Sequence, residues 1–170
     1  MMIRTASAND IDAIGELWLQ LVAYHRELDP ENMPNAAPDG ARRYAVRIGD
    51  SLDDTHTRVL IAEDNGRVVG YVMGVIVDML PETFVEARSG FLADIYVSEE
   101  YRGQGVGRSL VEALRVWFPN RKVTHYEWFV AEKNTDARAF WQKVGGIDVM
   151  IRMRASTETP IDTSSKKDAS

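Results

Sequence analysis

The sequence predicts a single α/β domain in which a mixed sheet is wrapped by helices. Three observations predict it. Apolar residues recur with helical spacing in some segments and as short β-branched runs in others, in the order β-α-α-β-β-β-α-β-α-β. Asn65-Gly66, a strong two-residue hairpin signal, joins two strand-like runs in the middle of the chain. Later strands are separated by helical segments, which requires crossover connections. With 170 residues, 45% of them hydrophobic, the chain can build one core, and no second domain is required.

Residues 2–6 read as a first short strand. A helix then begins near Asn9 or Asp10, either of which can accept from the free N–H groups of a first turn. Ile11, Ile14, Leu17, Trp18, Leu21 and Val22 recur at helical spacing and predict its buried face. Asp29-Pro30 through Pro34 and Pro38-Asp39-Gly40 break that helix, and a second covers about residues 39–52. Residues 58–63 and 68–77 are the hairpin strands. Gly70 and Gly74 inside the latter mark a bulge or a close backbone approach, a structural role. A loop over 78–89 leads to a strand at about 90–97. The helix after the glycine turn that follows carries Leu110, Val111 and Leu114 as its inward stripe. Residues 123–130 read as another strand, 134–144 as a helix stopped by Gly145-Gly146, and 147–153 as the strand that closes the sheet. Residues 155–170, rich in Ser, Thr, Asp and Lys, read as a disordered tail, leaving 1–154 as the folded domain.

Composition narrows the function. Twenty basic against 26 acidic residues give a net charge of −6, which disfavours a nucleic-acid partner bound through a broad basic surface and suits a cationic amine, although many acidic proteins are so merely for solubility. The chain has no cysteine, which excludes disulfides, a thiol nucleophile and thiolate metal sites. His25, His56 and His125 lie far apart in sequence, so no metal is expected. Without an apolar signal core at Met1-Met2-Ile3-Arg4-Thr5 or a run approaching ~18 apolar residues, the expectation is a soluble cytoplasmic protein with no membrane partner.

The most informative segment runs from Leu92 to Gly107, where an apolar strand enters a glycine-rich turn that opens a helix. Glycines at 103, 105 and 107 allow close backbone approach, and the unpaired N–H groups of a helix's first turn then point at an anion such as a pyrophosphate. The spacing departs from both common phosphate loops. These glycines fall at G-x-G-x-G, not G-x-G-x-x-G, and Gly103 to Gly107 leaves three intervening residues with Arg108 in place of the G-K-[ST] lysine. A helix-entry turn without a ligand is the alternative. The segment does fill [QR]-x-x-G-x-[GA] with Arg102, Gly105 and Gly107, within V-x-x-x-Y-R-G-Q-G-V-G-R-S-L-V-E-A-L. This resembles the acyl-coenzyme A signature of the GNAT superfamily of N-acetyltransferases, and the resemblance extends over most of residues 2–152.

The resemblance implies a mostly antiparallel mixed sheet in which the first half of the signature strand splays from its neighbour and exposes backbone groups to the pantetheine arm of acetyl-coenzyme A. It implies that Ile95, Tyr96 and Val97 line that arm. Arg102, Gly103, Gln104, Gly105, Val106, Gly107, Arg108 and Ser109 would surround the pyrophosphate, mostly through main-chain N–H groups. A Val97 amide free of sheet pairing could also hydrogen-bond the thioester oxygen as it becomes an oxyanion. For the side chains of Arg102 and Arg108 the alternative is a pair of solvated charges. Residues 134–146 resemble a second family segment, N-x-x-A-x-x-F-Y-x-x-x-G-F, matched at Asn134, Ala137, Phe140 and Gly145, which adds Asn134 and Trp141 to the coenzyme contacts. Trp141 stands where the family has a tyrosine, often its general acid, and an indole N–H cannot donate a proton at useful pH. Gly146 stands where a phenylalanine is usual. Either the coenzyme leaves as a thiolate, its thiol pKa being ~8.5, or Tyr96, Tyr101 or Tyr126 substitutes.

An alkylamine acceptor of pKa ~10 must lose a proton before attack, so a base is expected. Asp94 is the first candidate, followed by Glu127 and Glu132, with His125 behind them. Asp94 and Tyr96 share a strand face, and Asp94 is merely structural if that face points away from the cleft. Substrate choice is expected in residues 18–38 and in the loop 78–89. Tyr24 through Pro30 could recognise an amine or simply be a solvated helix end. The combined reading is an N-acetyltransferase that moves an acetyl group from acetyl-coenzyme A to a primary amine, on a small molecule or a protein, by direct attack in a ternary complex. No cysteine or Ser-His-acid arrangement offers a covalent relay. Its rivals are transfer of a longer acyl group, a non-catalytic acyl-coenzyme A binding module, and a nucleotide-phosphate binder. A homodimer is compatible with the resemblance, and no sequence feature establishes one.

Overall fold

A computed structural model describes residues 1–77 and 88–158 of the chain. The first strand, β1 (Met2–Thr5), is tied by charge to the start of α1 (Ile11–Leu28). Arg4 donates from both terminal guanidinium nitrogens to Asp10 at 2.8 Å, and Asp10 also accepts the Ser7 N–H at 2.8 Å and the Ser7 hydroxyl at 2.7 Å. These bonds hold the Asp10 carboxyl down at about 2, the Arg4 hydrogen bond contributing most. Ile14 and Leu17 of the predicted face are buried, while Ile11, Trp18, Leu21 and Val22 are half-buried.

After α2 (Gly40–Ser51) come β2 (Thr57–Asp64) and β3 (Arg67–Val77), joined at Asn65 (φ 49°) and Gly66 (φ 79°). Both turn residues are left-handed, as the two-residue hairpin requires. The remaining elements are β4 (Ser89–Val97), α3 (Val106–Trp117), β5 (Tyr126–Glu127) and α4 (Thr135–Lys143). The sheet order is β1-β2-β3-β4-β5, antiparallel except for the parallel β4–β5 pair.

Alternation along the strands sorts two cores onto the two sheet faces. Val59, Ile61, Tyr71, Met73 and Tyr96 pack under α1 and α2 with Ile14, Leu17, Tyr44 and Ile48. Leu60, Ala62, Val69, Val72 and Leu92 pack under α3 with Leu110, Val111 and Leu114, and Trp141 of α4 joins them. The two β3 glycines mark close approaches, since a Cβ on Gly74 would lie 2.6 Å from the Leu114 side chain and one on Gly70 2.9 Å from the Tyr96 carbonyl oxygen. Each also neighbours a register shift. On β4 the extra residue is Ala93, with Met73 opposite Asp94 and Gly74 opposite Leu92.

Two strand expectations are corrected. Of residues 123–130 only Tyr126 and Glu127 form a ladder, and residues 147–153 form no strand. Alternation marks a segment able to pair, but pairing needs an edge, and a two-residue β5 offers little of one. Ile147, Val149, Met150, Ile151 and Met153 consequently expose between 70% and 90% of their surface. The contacts of this segment come from charged side chains: Asp148 on Arg138 at 3.5 Å, Arg152 over the Phe129 ring at 5.8 Å, and Arg154 donating to the Asn32 carbonyl at 3.3 Å. Of the predicted loop 78–89, residues 78–87 lie outside the described residues, as do 159–170 of the predicted tail.

Candidate functional site

The site begins as a stretch of strand that, among the described residues, has no neighbour on one side. Ser98 N–H donates to the Val69 carbonyl at 2.9 Å, which continues the β3 ladder through Tyr96 (opposite Tyr71) and Asp94 (opposite Met73). In an antiparallel ladder the alternate residues turn away, so the N–H and C=O groups of Ile95 and Val97 face the other side. There β5 pairs only with Gly90 and Phe91, Gly90 N–H donating to the His125 carbonyl at 2.9 Å. The splay is therefore the reverse of the expected one: the first half of β4 is paired and the second half, ending at Val97, is open. Gly90 is the pinning point, because a Cβ there would lie 2.5 Å from the Phe118 ring and 2.8 Å from Tyr126 Cβ. The bulge at Ala93 follows, just past the point where pairing with β5 ends.

The open edge ends at the glycine turn. Gly103 (φ 73°) and Gly105 (φ 84°) are left-handed, and none of the described residues lies within 4 Å of where their Cβ atoms would be. Conformation demands these glycines, and the space beside them is open. A Cβ on Gly107 would make ordinary contacts with Phe140 at 3.6 Å and with Val97 Cγ2 at 3.9 Å, which seats the helix start against the end of the open edge. The first N–H bonded within this turn of α3 is that of Ser109, to the Gly105 carbonyl at 3.0 Å. The amides of Val106, Gly107 and Arg108 precede it and point outward along the helix axis.

Side chains around the turn are partly committed. Arg102 folds back, its Nε donating to the Val97 carbonyl at 3.1 Å and its guanidinium lying 4.6 Å from the Tyr24 ring centroid and 5.2 Å from that of Tyr96. Gln104 donates to the Glu100 carbonyl at 2.8 Å and the Ser109 hydroxyl to the Gly105 carbonyl at 3.2 Å, whereas Arg108 is exposed. Asn134 caps α4, its Oδ1 accepting the Ala137 N–H at 3.0 Å. Trp141 is buried against Trp128 at 4.4 Å and Phe140 at 4.9 Å. Of the region 18–38, Tyr24 reaches Arg102, and Asp29 accepts from Lys133 at 2.8 Å, clamping the end of α1 to the loop before α4.

Asp94 lies on the α1/α2 side with Tyr96, half-buried, its Oδ2 accepting the Tyr44 hydroxyl at 2.8 Å. Burial pushes its carboxyl up, while the Tyr44 bond and the charge of Arg47 pull it down. Glu127, Glu132 and His125 are exposed, and His125 Nε2 lies 3.0 Å from the Ser89 hydroxyl. Among the other tyrosines, Tyr101 donates to Asp64 at 3.3 Å beside the hairpin, and Tyr126 stacks on Phe118 at 5.3 Å. Sequence reasoning missed Tyr44 and Tyr71. Their periodic placement reads as core, and only polar tips on an apolar face hint at more. Among the described residues no group of three or more His, Asp or Glu side chains is arranged to hold a metal ion, and no helix is long and apolar enough to cross a membrane.

Comparison with known proteins agrees with this architecture. The sequence profile of the Acetyltransferase (GNAT) family matches residues 21–146. Among curated protein sequences none matches the chain. A solved mutant of the BH1408 protein of Bacillus halodurans is similar at 23% identity, covering 92% of this chain and 99% of its own, with a TM-score of 0.81. Aminoglycoside N-acetyltransferase AAC(6')-Iy, solved in complex with CoA, is similar at 18% identity over 93% of this chain and 95% of its own, TM-score 0.70. Aminoglycoside 6'-N-acetyltransferase AAC(6')-IG from Acinetobacter haemolyticus is similar at 18% identity over 94% and 100%, TM-score 0.69. At these identities the likeness is one of fold.

Proposed function

Because the chain belongs to the GNAT family of acetyltransferases, we propose that its folded domain, residues 1–154, moves an acetyl group from acetyl-coenzyme A to a primary amine by direct attack in a ternary complex. The observation that carries this reading is the open backbone edge of Ile95 and the Val97 N–H, running into the amides of the glycine turn. An extended pantetheine arm has amide groups that can pair with that edge, and its pyrophosphate suits the N–H groups from Gly103 to Arg108 that precede the first bonded amide of the helix. The Val97 N–H, on the open side, can stabilise the oxyanion formed from the thioester carbonyl.

In the transfer the ammonium first gives one proton to a base, the amine nitrogen then forms a bond to the acetyl carbon, the C–S bond breaks with its electron pair on sulfur, and the second proton lost from nitrogen passes to the departing thiolate or to solvent. We assign that base to Asp94. It sits on the open half of β4 in a desolvated position that strengthens it as a proton acceptor. A coenzyme thiol of pKa ~8.5 can leave as a thiolate, so a tryptophan at 141 does not prevent turnover. The acceptor is a cationic amine, a class that includes the aminoglycosides named for two of the similar structures, and the net charge of −6 suits it.

Thermal melting with acetyl-coenzyme A, followed by thiol release on a panel of amines, tests the proposal. At about 100 times its dissociation constant the ligand should add ~2.7 kcal/mol. No shift at saturation overturns the reading. A shift without thiol release on any amine indicates an acyl-coenzyme A binding module, and faster release from longer acyl donors indicates a different acyl group.

A further inference from the structure

One tyrosine hydroxyl reaches Asp94 from outside its strand, and a second tyrosine packs against that ring. Tyr44, on α2, is 6% exposed and places its hydroxyl 2.8 Å from Asp94 Oδ2. Its ring is clamped, stacked on Trp18 at 5.0 Å with 9° between planes and edge-on to Tyr71 at 6.2 Å. Tyr71, on β3, is buried, and among the described residues its hydroxyl has no hydrogen-bond partner. A surface carboxylate would need none of this. A carboxylate in an apolar core is driven toward its neutral form unless a donor compensates, and a hydroxyl held by ring packing is such a donor at little entropic cost.

Among the described residues the other groups facing Asp94 are few. From α2 come Tyr44 and Arg47, the latter exposed and acting through its charge, and from β3 comes Tyr71. Tyr96 lies two residues along the same face of β4, and α1 contributes the indole of Trp18, which does not titrate. Burial raises the Tyr44 phenol far beyond its ordinary range, so at neutral pH it remains a donor.

We propose that Tyr44 is a positioning residue of the transfer: its hydroxyl holds and aims the Asp94 carboxylate, so that Asp94 can take the amine's proton. This rests on Asp94 being the base. The geometry assigns the role to α2, an element the glycine motif does not reach, and makes the α1/α2 packing part of the chemistry through Trp18.

The test is Tyr44→Phe in the full chain, which keeps the ring stack, with Tyr71→Phe as control. The Asp94 carboxyl is titrated by 13C NMR, its signal identified by loss in Asp94→Asn, and turnover is followed from pH 6 to 9 with acetyl-coenzyme A saturating. The proposal expects the Asp94 midpoint in Tyr44→Phe to rise by about one pH unit, the scale of a lost hydrogen bond to a charged group. It also expects the rising limb of the pH–turnover profile to move to higher pH together with that midpoint, with the KM for acetyl-coenzyme A unchanged and Tyr71→Phe leaving the midpoint in place. Fluorination of Tyr44 alone, which strengthens its hydroxyl as a donor without deleting it, should move the midpoint down and covers the case of a Phe variant that does not fold. An unmoved midpoint, with turnover lowered equally at every pH, overturns the proposal and leaves Tyr44 structural. Near-normal turnover in Asp94→Asn overturns the base assignment itself, and with it the role of Tyr44.

Discussion

Trp141, Trp128 and Gly146 form a single packing solution. The Trp141 indole lies 4.4 Å from that of Trp128, and a Cβ on Gly146 would sit 2.7 Å from Trp128 Cζ2. The two departures from the family segment, tryptophan for tyrosine and glycine for phenylalanine, thus explain each other: Trp128 occupies the space a larger residue at 146 would need. The departures were legible in the sequence, but their cause was not, because Trp128 belongs to no motif. Trp141→Phe should keep measurable turnover and lose roughly 1–2 kcal/mol of stability, less than the full truncation of a buried aromatic. Paired kinetics and chemical denaturation check this. Abolished chemistry with coenzyme binding and stability intact would contradict it.

At the scale of elements, β4 was placed nearly residue for residue by its apolar run, and so was the turn that follows, because a short motif carries its own geometry. Gly70 and Gly74 stood out as interruptions inside a strand. Gly90 did not, being at a strand start where glycine is unremarkable, yet it controls where β5 is held. Gly90→Ala should force the Phe118 ring and Tyr126 outward and cost about 1–3 kcal/mol, an overpacking effect. Combining it with Phe118→Leu should recover part of that loss, since the smaller side chain relieves the contact at 2.5 Å. Additive losses in urea denaturation would instead show that Gly90 serves backbone conformation.

For the whole molecule, the division between what was legible and what was not follows sequence distance. The anion-binding turn is built from contiguous residues and could be read directly, whereas the partner of Asp94 lies 50 residues away on a helix whose pattern signals only core. The C-terminal segment shows the same limit. Its alternation fits a strand, but whether a strand forms depends on an edge contributed elsewhere, and Ile147, Val149 and Ile151 are exposed at 82%, 70% and 86%. Burying such side chains is worth about 1.5–3 kcal/mol each, while exposed substitutions stay near ±0.5 kcal/mol. Replacing Ile147, Val149 and Ile151 together with serine should therefore change the unfolding free energy of the isolated chain by no more than about 1.5 kcal/mol in total. Urea denaturation at two protein concentrations a hundredfold apart reads the result. A loss of several kcal/mol independent of concentration would mean that the segment closes on the edge of its own β5, and a loss that grows with concentration would mean that a second copy covers it.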